Sequence, residues 1–135
     1  MRNIATCLIA LLFAGCAATG IGLRSASDRL DDSSESFYRQ LTSESASRSA
    51  VDDAARLAEA SHYFHREVRD GRSGDVLVPL FDRVSDRYHD LREELGGRTY
   101  DDRYRAAGFD RVTEAYLDAE RAMDRQYGRR YSYRY

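Results

Sequence analysis

The chain has 135 residues, which is enough for one domain and too short for two. Charged residues make up 33% of it and hydrophobic residues 42%, a balance that is typical of a globular rather than a disordered chain. Its formal net charge of −2 is too small to predict a nucleic-acid partner.

The first twenty residues combine a positive start with an apolar run. Arg2 precedes the uncharged segment 4–14, IATCLIALLFA, which has the length of a signal peptide. A transmembrane helix needs about 20 strongly apolar residues, and this run reaches that length only by including two glycines and a threonine. We therefore expect residues 1–15 to be a signal peptide, with a retained membrane anchor as an alternative.

The end of this run carries a recognisable cleavage pattern. Phe13-Ala14-Gly15-Cys16 resembles the lipobox of bacterial lipoproteins, with Phe13 where leucine is usual. The resemblance implies that a peptidase cuts before Cys16, that the Cys16 thiol carries diacylglycerol, and that the alanine after it favours the outer membrane. The alternative is an ordinary signal peptide cut nearby. Either cut puts the mature chain outside the cytoplasm and removes Cys7, so no disulfide can form within the chain.

Hydrophobic residues recur at helical spacing after residue 24, and residues 24–127 show no alternating strand pattern. The first predicted helix spans 25–47, and the second spans about 50–70 with Ser49 as its N-cap. The residues on their apolar seams are Leu23, Ser27, Leu30, Ser34, Phe37 and Leu41 in the first, and Ala50, Ala54, Leu57, Ser61, Phe64 and Val68 in the second.

Two more helices follow the turn DGRSGD, residues 70–75. Pro79 falls in the first turn of the third helix, which a pair of glycines ends. The fourth helix begins near Thr99 and contains Gly108, which predicts a break or a kink. The apolar seam of the third helix consists of Leu77, Phe81, Val84, Tyr88, Leu91 and Leu95. That of the fourth consists of Phe109, Val112, Tyr116, Ala119, Met123 and Tyr127.

Four helical segments with short connections predict an all-α fold, an antiparallel up-down four-helix bundle over residues 25–127. A three-helix arrangement with a loose first segment is the alternative. Residues 16–24 are then expected to be a tether, and residues 128–135 a tail.

The three histidines lie in the second and third helices. Glu59-x-x-His62 and Asp86-x-x-His89 resemble halves of the Glu-x-x-His pairs of di-iron bundles. Both histidines fall about 120° from the core centre of their helices, which predicts solvated side chains and no metal. His65 falls within about 60° of the core centre, which predicts a partly buried, hydrogen-bonded side chain. No residues form a catalytic or phosphate-binding motif, so neither an enzyme nor a cofactor is predicted.

The segment after Gly128, RRYSYRY, combines arginine with alternating tyrosines and contains no acid. The alternation suits a strand added to the sheet edge of an envelope protein, and arginine with tyrosine suits an anionic envelope polymer or a phosphate-bearing lipid. A solvated tail is the alternative. The candidate interaction residues are Arg129, Arg130, Tyr131, Tyr133, Arg134 and Tyr135.

Together these patterns predict a lipid-anchored helical protein on the periplasmic face of the bacterial outer membrane. It is expected to act as a structural or interaction module, with no small-molecule substrate indicated. The alternative is a soluble periplasmic protein that binds a ligand or a metal near the histidines.

Overall fold

The computed structural model describes residues 18–44, 46–96 and 103–128, with side chains from residue 22 onward and, in the last range, from residue 107. Its helices are α1 (Ala18–Ser43), α2 (Arg48–Arg69), α3 (Gly74–Gly96) and α4 (Arg103–Tyr127). They pack against each other as a four-helix bundle, and no strand occurs within those ranges, so the predicted all-α fold is confirmed. No helix among the described residues is long and apolar enough to cross a membrane.

The helices differ in how closely they approach each other. α1 packs along both α2 and α4, and α2 packs along α3, whereas α3 and α4 approach each other least. The three-helix alternative with a loose first segment is therefore wrong, because α1 has two neighbours along its length. The short connections between α1 and α2 and between α2 and α3 make these pairs antiparallel.

The first helix begins earlier than predicted. α1 starts at Ala18, so residues 18–24, which the sequence predicts as part of a tether, are helical. It also ends at Ser43, four residues before the predicted end. The apolar seam was a good guide to the start of this helix, since Leu23, before the predicted start, already belongs to the buried face.

The N-cap of α2 is Ser47 rather than the predicted Ser49. The Ser47 hydroxyl accepts a hydrogen bond from the backbone N–H of Ala50 at 3.3 Å, which satisfies one of the unpaired donors at the helix start. The Ser49 hydroxyl donates instead to the carboxylate of Glu94 at 2.5 Å and so links α2 to α3.

The predicted seams form the core of the bundle. Every seam residue of α1, α2 and α3 is buried, and those of α4 are buried apart from Phe109 and Tyr127, which are half-buried. Burial of such side chains supplies most of the free energy that holds a bundle of this kind together. Small residues beside the seams are buried as well: Ala26, Ala58, Ala60, Ala115 and Ala122.

Gly108 does not break α4, which runs without interruption from Arg103 to Tyr127. It is buried against α1, where a Cβ would lie 2.9 Å from Cδ2 of Phe37 and closer still to the side-chain oxygen of Gln40. The predicted break is therefore wrong, and glycine is present here because two helices approach each other closely.

Candidate functional site

Two of the predicted sites, the lipidation residue Cys16 and the tail from Arg129 to Tyr135, lie outside the described residues. The structure does describe the chain that leads to each of them. α1 begins at Ala18, and Gly128, with a φ of 83°, follows the last residue of α4. A glycine in this left-handed conformation is a common helix end. The ends of the bundle at which α1 begins and α4 ends therefore show from which part of the bundle the chain continues toward each of these two sites.

The start of α1 lies beside the end of α2 and the end of α4. The guanidinium of Arg24 donates a hydrogen bond to the backbone carbonyl of Arg69, the last residue of α2, at 2.6 Å. Gly22 faces α4, where a Cβ on it would lie 3.7 Å from Nη2 of Arg125. The segments that lead to Cys16 and to the tail therefore leave the bundle at the same end.

The start of α3 completes this end. Gly74 lies against the ring of Tyr127, where a Cβ would be 2.7 Å from Cδ1, and burial raises the pKa of the Tyr127 phenol. Gly71, with a φ of 71°, turns the chain from α2 into α3. We define the terminal face as residues 22–28, 66–75 and 121–128.

Arginines are concentrated on the terminal face. Arg66 and Arg69 lie in the last turn of α2, and Arg125 lies in the last turn of α4, where a cation is favoured by the carbonyl end of the helix dipole. Glu67 binds two of the cations, Arg66 at 3.1 Å and Arg72 at 3.2 Å. Exposed pairs of this kind contribute little to stability, so their arrangement matters more for what the surface attracts.

His62 is exposed, as predicted, with 67% of its side chain accessible. Its Nδ1 lies 3.2 Å from a carboxylate oxygen of Asp31, which links α2 to α1. Glu59, its partner in the Glu-x-x-His pattern, is also exposed. Within the described residues, no three histidine, cysteine or acidic side chains are grouped to hold a metal ion.

The prediction of a solvated His89 is wrong. The His89 ring is half-buried and lies edge-on to Tyr88 and Tyr116, with ring centroids 5.1 and 6.0 Å away. Burial lowers the pKa of His89, because the charged imidazolium is poorly solvated there. Asp86 remains exposed, so the two members of this pattern lie in different environments.

His65 is partly buried and hydrogen-bonded, as predicted, with 15% of its side chain exposed. The Ser27 hydroxyl donates to the carbonyl of Arg24 at 2.9 Å, and its oxygen also lies within hydrogen-bond distance of Nδ1 of His65, at 3.2 Å. Nε2 lies 3.7 Å from Asp28. Ser27 is fully buried, so this hydrogen-bonded arrangement joins α1 to α2 inside the bundle.

Two open grooves, which the sequence did not predict, flank α1. The groove against α4 has a volume of about 440 Å³ and the one against α2 about 490 Å³. An ion pair of 3.0 Å between Arg29 and Asp118 crosses the first. The α1–α4 groove is lined by Arg29, Asp32, Ser33, Ser36, Phe37, Gly108, Arg111, Glu114, Ala115 and Asp118. The α1–α2 groove is lined by Asp31, Asp32, Glu35, Tyr38, Arg39, Ala55, Ala58, Glu59 and His62.

A polar cluster also lies between α3 and α4. The Tyr116 hydroxyl is 2.8 Å from that of Ser85 and donates to the carboxylate of Glu120 at 3.3 Å. The Tyr88 hydroxyl donates to that of Thr113 at 3.1 Å. Burial raises the pKa of Glu120, since the ionised carboxylate loses solvent there. These groups form hydrogen bonds with one another, and two of the hydroxyls belong to buried tyrosines of the core.

Comparison with known proteins identifies no relative. No protein-family model, no curated protein and no solved structure matches the chain.

Proposed function

We propose that this chain is a lipid-anchored helical protein of the bacterial envelope. Cys16 carries the lipid on the periplasmic face of the outer membrane, and the bundle that follows is a structural or interaction module. The proposal combines the lipobox-like residues 13–16 with the position of the first helix.

The observation that supports it most is how soon α1 begins. Ala18 is only two residues after Cys16, and two residues span at most about 7 Å of extended chain. A lipid on Cys16 would therefore be joined to the folded bundle almost directly. The bundle also has a core of aliphatic and aromatic side chains, which suits a protein that would lose Cys7 on processing and have no disulfide.

The surface of the bundle supports the second part of the proposal. Both grooves along α1 are open and carry charges of both signs, for example Arg39 with Glu35 and Arg29 with Asp118. Charges at the rim of such a groove would steer a partner of complementary charge and fix its register.

The anchor is tested by expressing the full chain in a Gram-negative host and measuring the intact mass of the purified protein. We expect a mature chain that begins at Cys16 and carries the added mass of the lipid, found in the membrane fraction. Cys16→Ser should abolish both the lipid and the membrane fractionation. Cys7→Ser is the matched control, because Cys7 lies in the removed segment, and it should change neither.

An unmodified mature N-terminus after Cys16 would contradict the anchor, as would a chain that keeps residues 1–15. Equal loss of lipid in the Cys7→Ser and Cys16→Ser variants would also contradict it, because it would show a general effect on export.

The interaction surface is tested by placing a photo-crosslinking amino acid at Arg39, in the α1–α2 groove, or at Arg111, in the α1–α4 groove. The control position is Arg83, an exposed residue of α3 that lines neither groove. We expect a discrete adduct in intact cells from at least one groove position and none from Arg83. Equal crosslinking from all three positions, or none, would contradict a groove-mediated contact.

A further inference from the structure

The α1–α2 groove is the more acidic of the two grooves beside α1. Four carboxylates and one arginine line it, so its formal charge is −3 with His62 neutral. Three carboxylates and two arginines line the α1–α4 groove, whose formal charge is −1. Because a charged rim attracts a partner of opposite charge, the α1–α2 groove is suited to a basic partner and the α1–α4 groove much less so.

The groove's own residues neutralise its acidic charge only in part. Arg39 donates to Glu35 at 2.8 Å, and Nδ1 of His62 lies 3.2 Å from a carboxylate oxygen of Asp31. The other two carboxylates are exposed and make no ion pair or hydrogen bond with the described part of the chain: Asp32 and Glu59. Their negative charge is therefore available to a cation that comes from outside the bundle.

Carboxylates also lie on both walls of this groove at a similar height. The helices α1 and α2 are antiparallel, and Asp31 of α1 lies beside His62 of α2. Glu35, four residues after Asp31, is therefore near the level of Glu59, three residues before His62. Like charges on opposite walls repel each other, and a cation between them is attracted by both. The groove therefore favours a positive group that enters between its walls.

The shape of the groove suits a short segment of chain with arginine side chains. Its volume is about 490 Å³, and its α2 wall includes the small residues Ala55 and Ala58. From Asp31 to Arg39 it extends about 12 Å along α1, the length of about four extended residues. Tyr38 adds a half-buried aromatic ring. A guanidinium can bind a carboxylate through two N–H groups and can stack on such a ring.

We propose that the α1–α2 groove binds an arginine-bearing segment of another envelope protein, with its guanidinium groups on Asp32 and Glu59. This inference rests on the interaction module proposed above and names the chemistry of its partner. The two carboxylates without a partner inside the bundle supply the attraction, and the small residues of the α2 wall supply the space. The charge of the groove selects a basic segment over a neutral or acidic one.

The charge preference is tested by fluorescence anisotropy on the full chain, purified in detergent from a Gram-negative host. The probe is a fluorescein-labelled peptide of alternating arginine and alanine, and its control has glutamine in place of every arginine. We expect the arginine peptide to bind at least about tenfold more tightly. About 1 M salt should reduce this preference to within about twofold, because screening then acts within about 3 Å.

Two charge-matched variants locate the binding site. Asp32→Asn with Glu59→Gln should weaken binding of the arginine peptide at least about tenfold, because it removes the carboxylates that have no partner. Asp110→Asn with Glu114→Gln removes the same number of charges from exposed positions outside this groove, one of them in the α1–α4 groove, and should change the affinity less than about twofold. Equal effects of the two variants would overturn the proposal.

A third variant separates the shape of the groove from its charge. Ala55→Leu adds volume inside the groove without changing any charge and should weaken binding at least about fivefold. Ala107→Leu, at an exposed position of α4, is the matched control and should leave binding unchanged. Circular dichroism checks that both variants keep the helical fold. Unchanged affinity in a folded Ala55→Leu variant would overturn binding within the groove.

The chemistry of the native partner is read from the adduct that the photo-crosslinker at Arg39 forms in intact cells. Mass spectrometry of the attached peptide should show another envelope protein with arginine within about four residues of the attachment point, since the groove holds about that length. An adduct to a segment without arginine, or to a second copy of this chain, would overturn this proposal and leave the interaction module standing. Absence of any groove adduct would overturn both.

Discussion

The contacts of α1 with α2 and α4 contrast with the seam between α3 and α4. Small residues occur at the closest contacts of α1: Ser34 meets Ser61 with hydroxyl oxygens 3.3 Å apart, and Gly108 of α4 lies against the ring of Phe37. Small residues allow helix backbones to approach closely, which is the arrangement that α1 shows with both neighbours.

Aromatic rings fill the seam between α3 and α4. The rings of Tyr88 and Tyr116 stack with centroids 4.1 Å apart and planes 9° apart, and Phe81 stacks on Tyr116 at 5.8 Å. Rings of this size hold the two backbones apart, and the tyrosine hydroxyls bring polar partners such as Glu120 with them. His89 and Glu120, whose pKa values are shifted by burial, both lie at this wide seam.

The largest effect is expected from removing a ring of the wide seam. Phe81 is fully buried between Phe64, 5.3 Å away, and Tyr116. Phe81→Ala should lower the free energy of unfolding by about 3–5 kcal/mol, because it removes buried apolar surface and leaves a cavity. Chemical denaturation gives the value, and Leu117→Ala, at a residue that is 41% exposed, is the control. A loss below about 1 kcal/mol would show that these rings separate the helices without contributing much to the free energy of unfolding.

The close contacts of α1 should also lose stability, but when volume is added rather than removed. Ala119 is fully buried on α4, and Ala119→Leu should cost about 1–3 kcal/mol because the added atoms have no space between the helices. Ala107→Leu, at an exposed position of the same helix, is the matched control and should be near neutral in the same denaturation measurement. Equal effects at the two positions would contradict a tight contact.

The sequence was sufficient to predict what depends on periodicity within one helix. In α3, all six seam residues from Leu77 to Leu95 are buried, because spacings of three and four residues put them on one face. It was not sufficient for properties that depend on the distance between helices. The helical wheel gives the angle of His89 from the core but not the width of the seam, and Gly108 reads as a breaker until α1 is placed against it.

A smaller loss of stability is expected from the pair of buried serines at the contact between α1 and α2. Ser34 and Ser61 are buried, and their hydroxyls lie opposite each other. Either Ser34→Ala or Ser61→Ala alone should cost about 1 kcal/mol, because it leaves the other hydroxyl without this partner. The double variant should cost less than the sum of the two, as measured in a double-mutant cycle by denaturation. Additive losses would mean that the two hydroxyls do not interact.

The smallest effect is expected from the titratable group of the wide seam. Burial raises the pKa of Glu120 above its ordinary 4.5, so the folded state favours the protonated form. Its contribution to stability is therefore present below pH 4.5 and is lost as the pH rises through the raised folded pKa. Glu120→Gln keeps an acceptor for the Tyr116 hydroxyl and should raise Tm at pH 7 by about 1–3 °C, a gain that disappears below pH 4.5. Glu114→Gln, at an exposed position of the same helix, should leave Tm unchanged at both pH values. A lower Tm for Glu120→Gln at pH 7, or a difference independent of pH, would show that the ionised carboxylate is well accommodated and that the seam is wetter than its rings suggest.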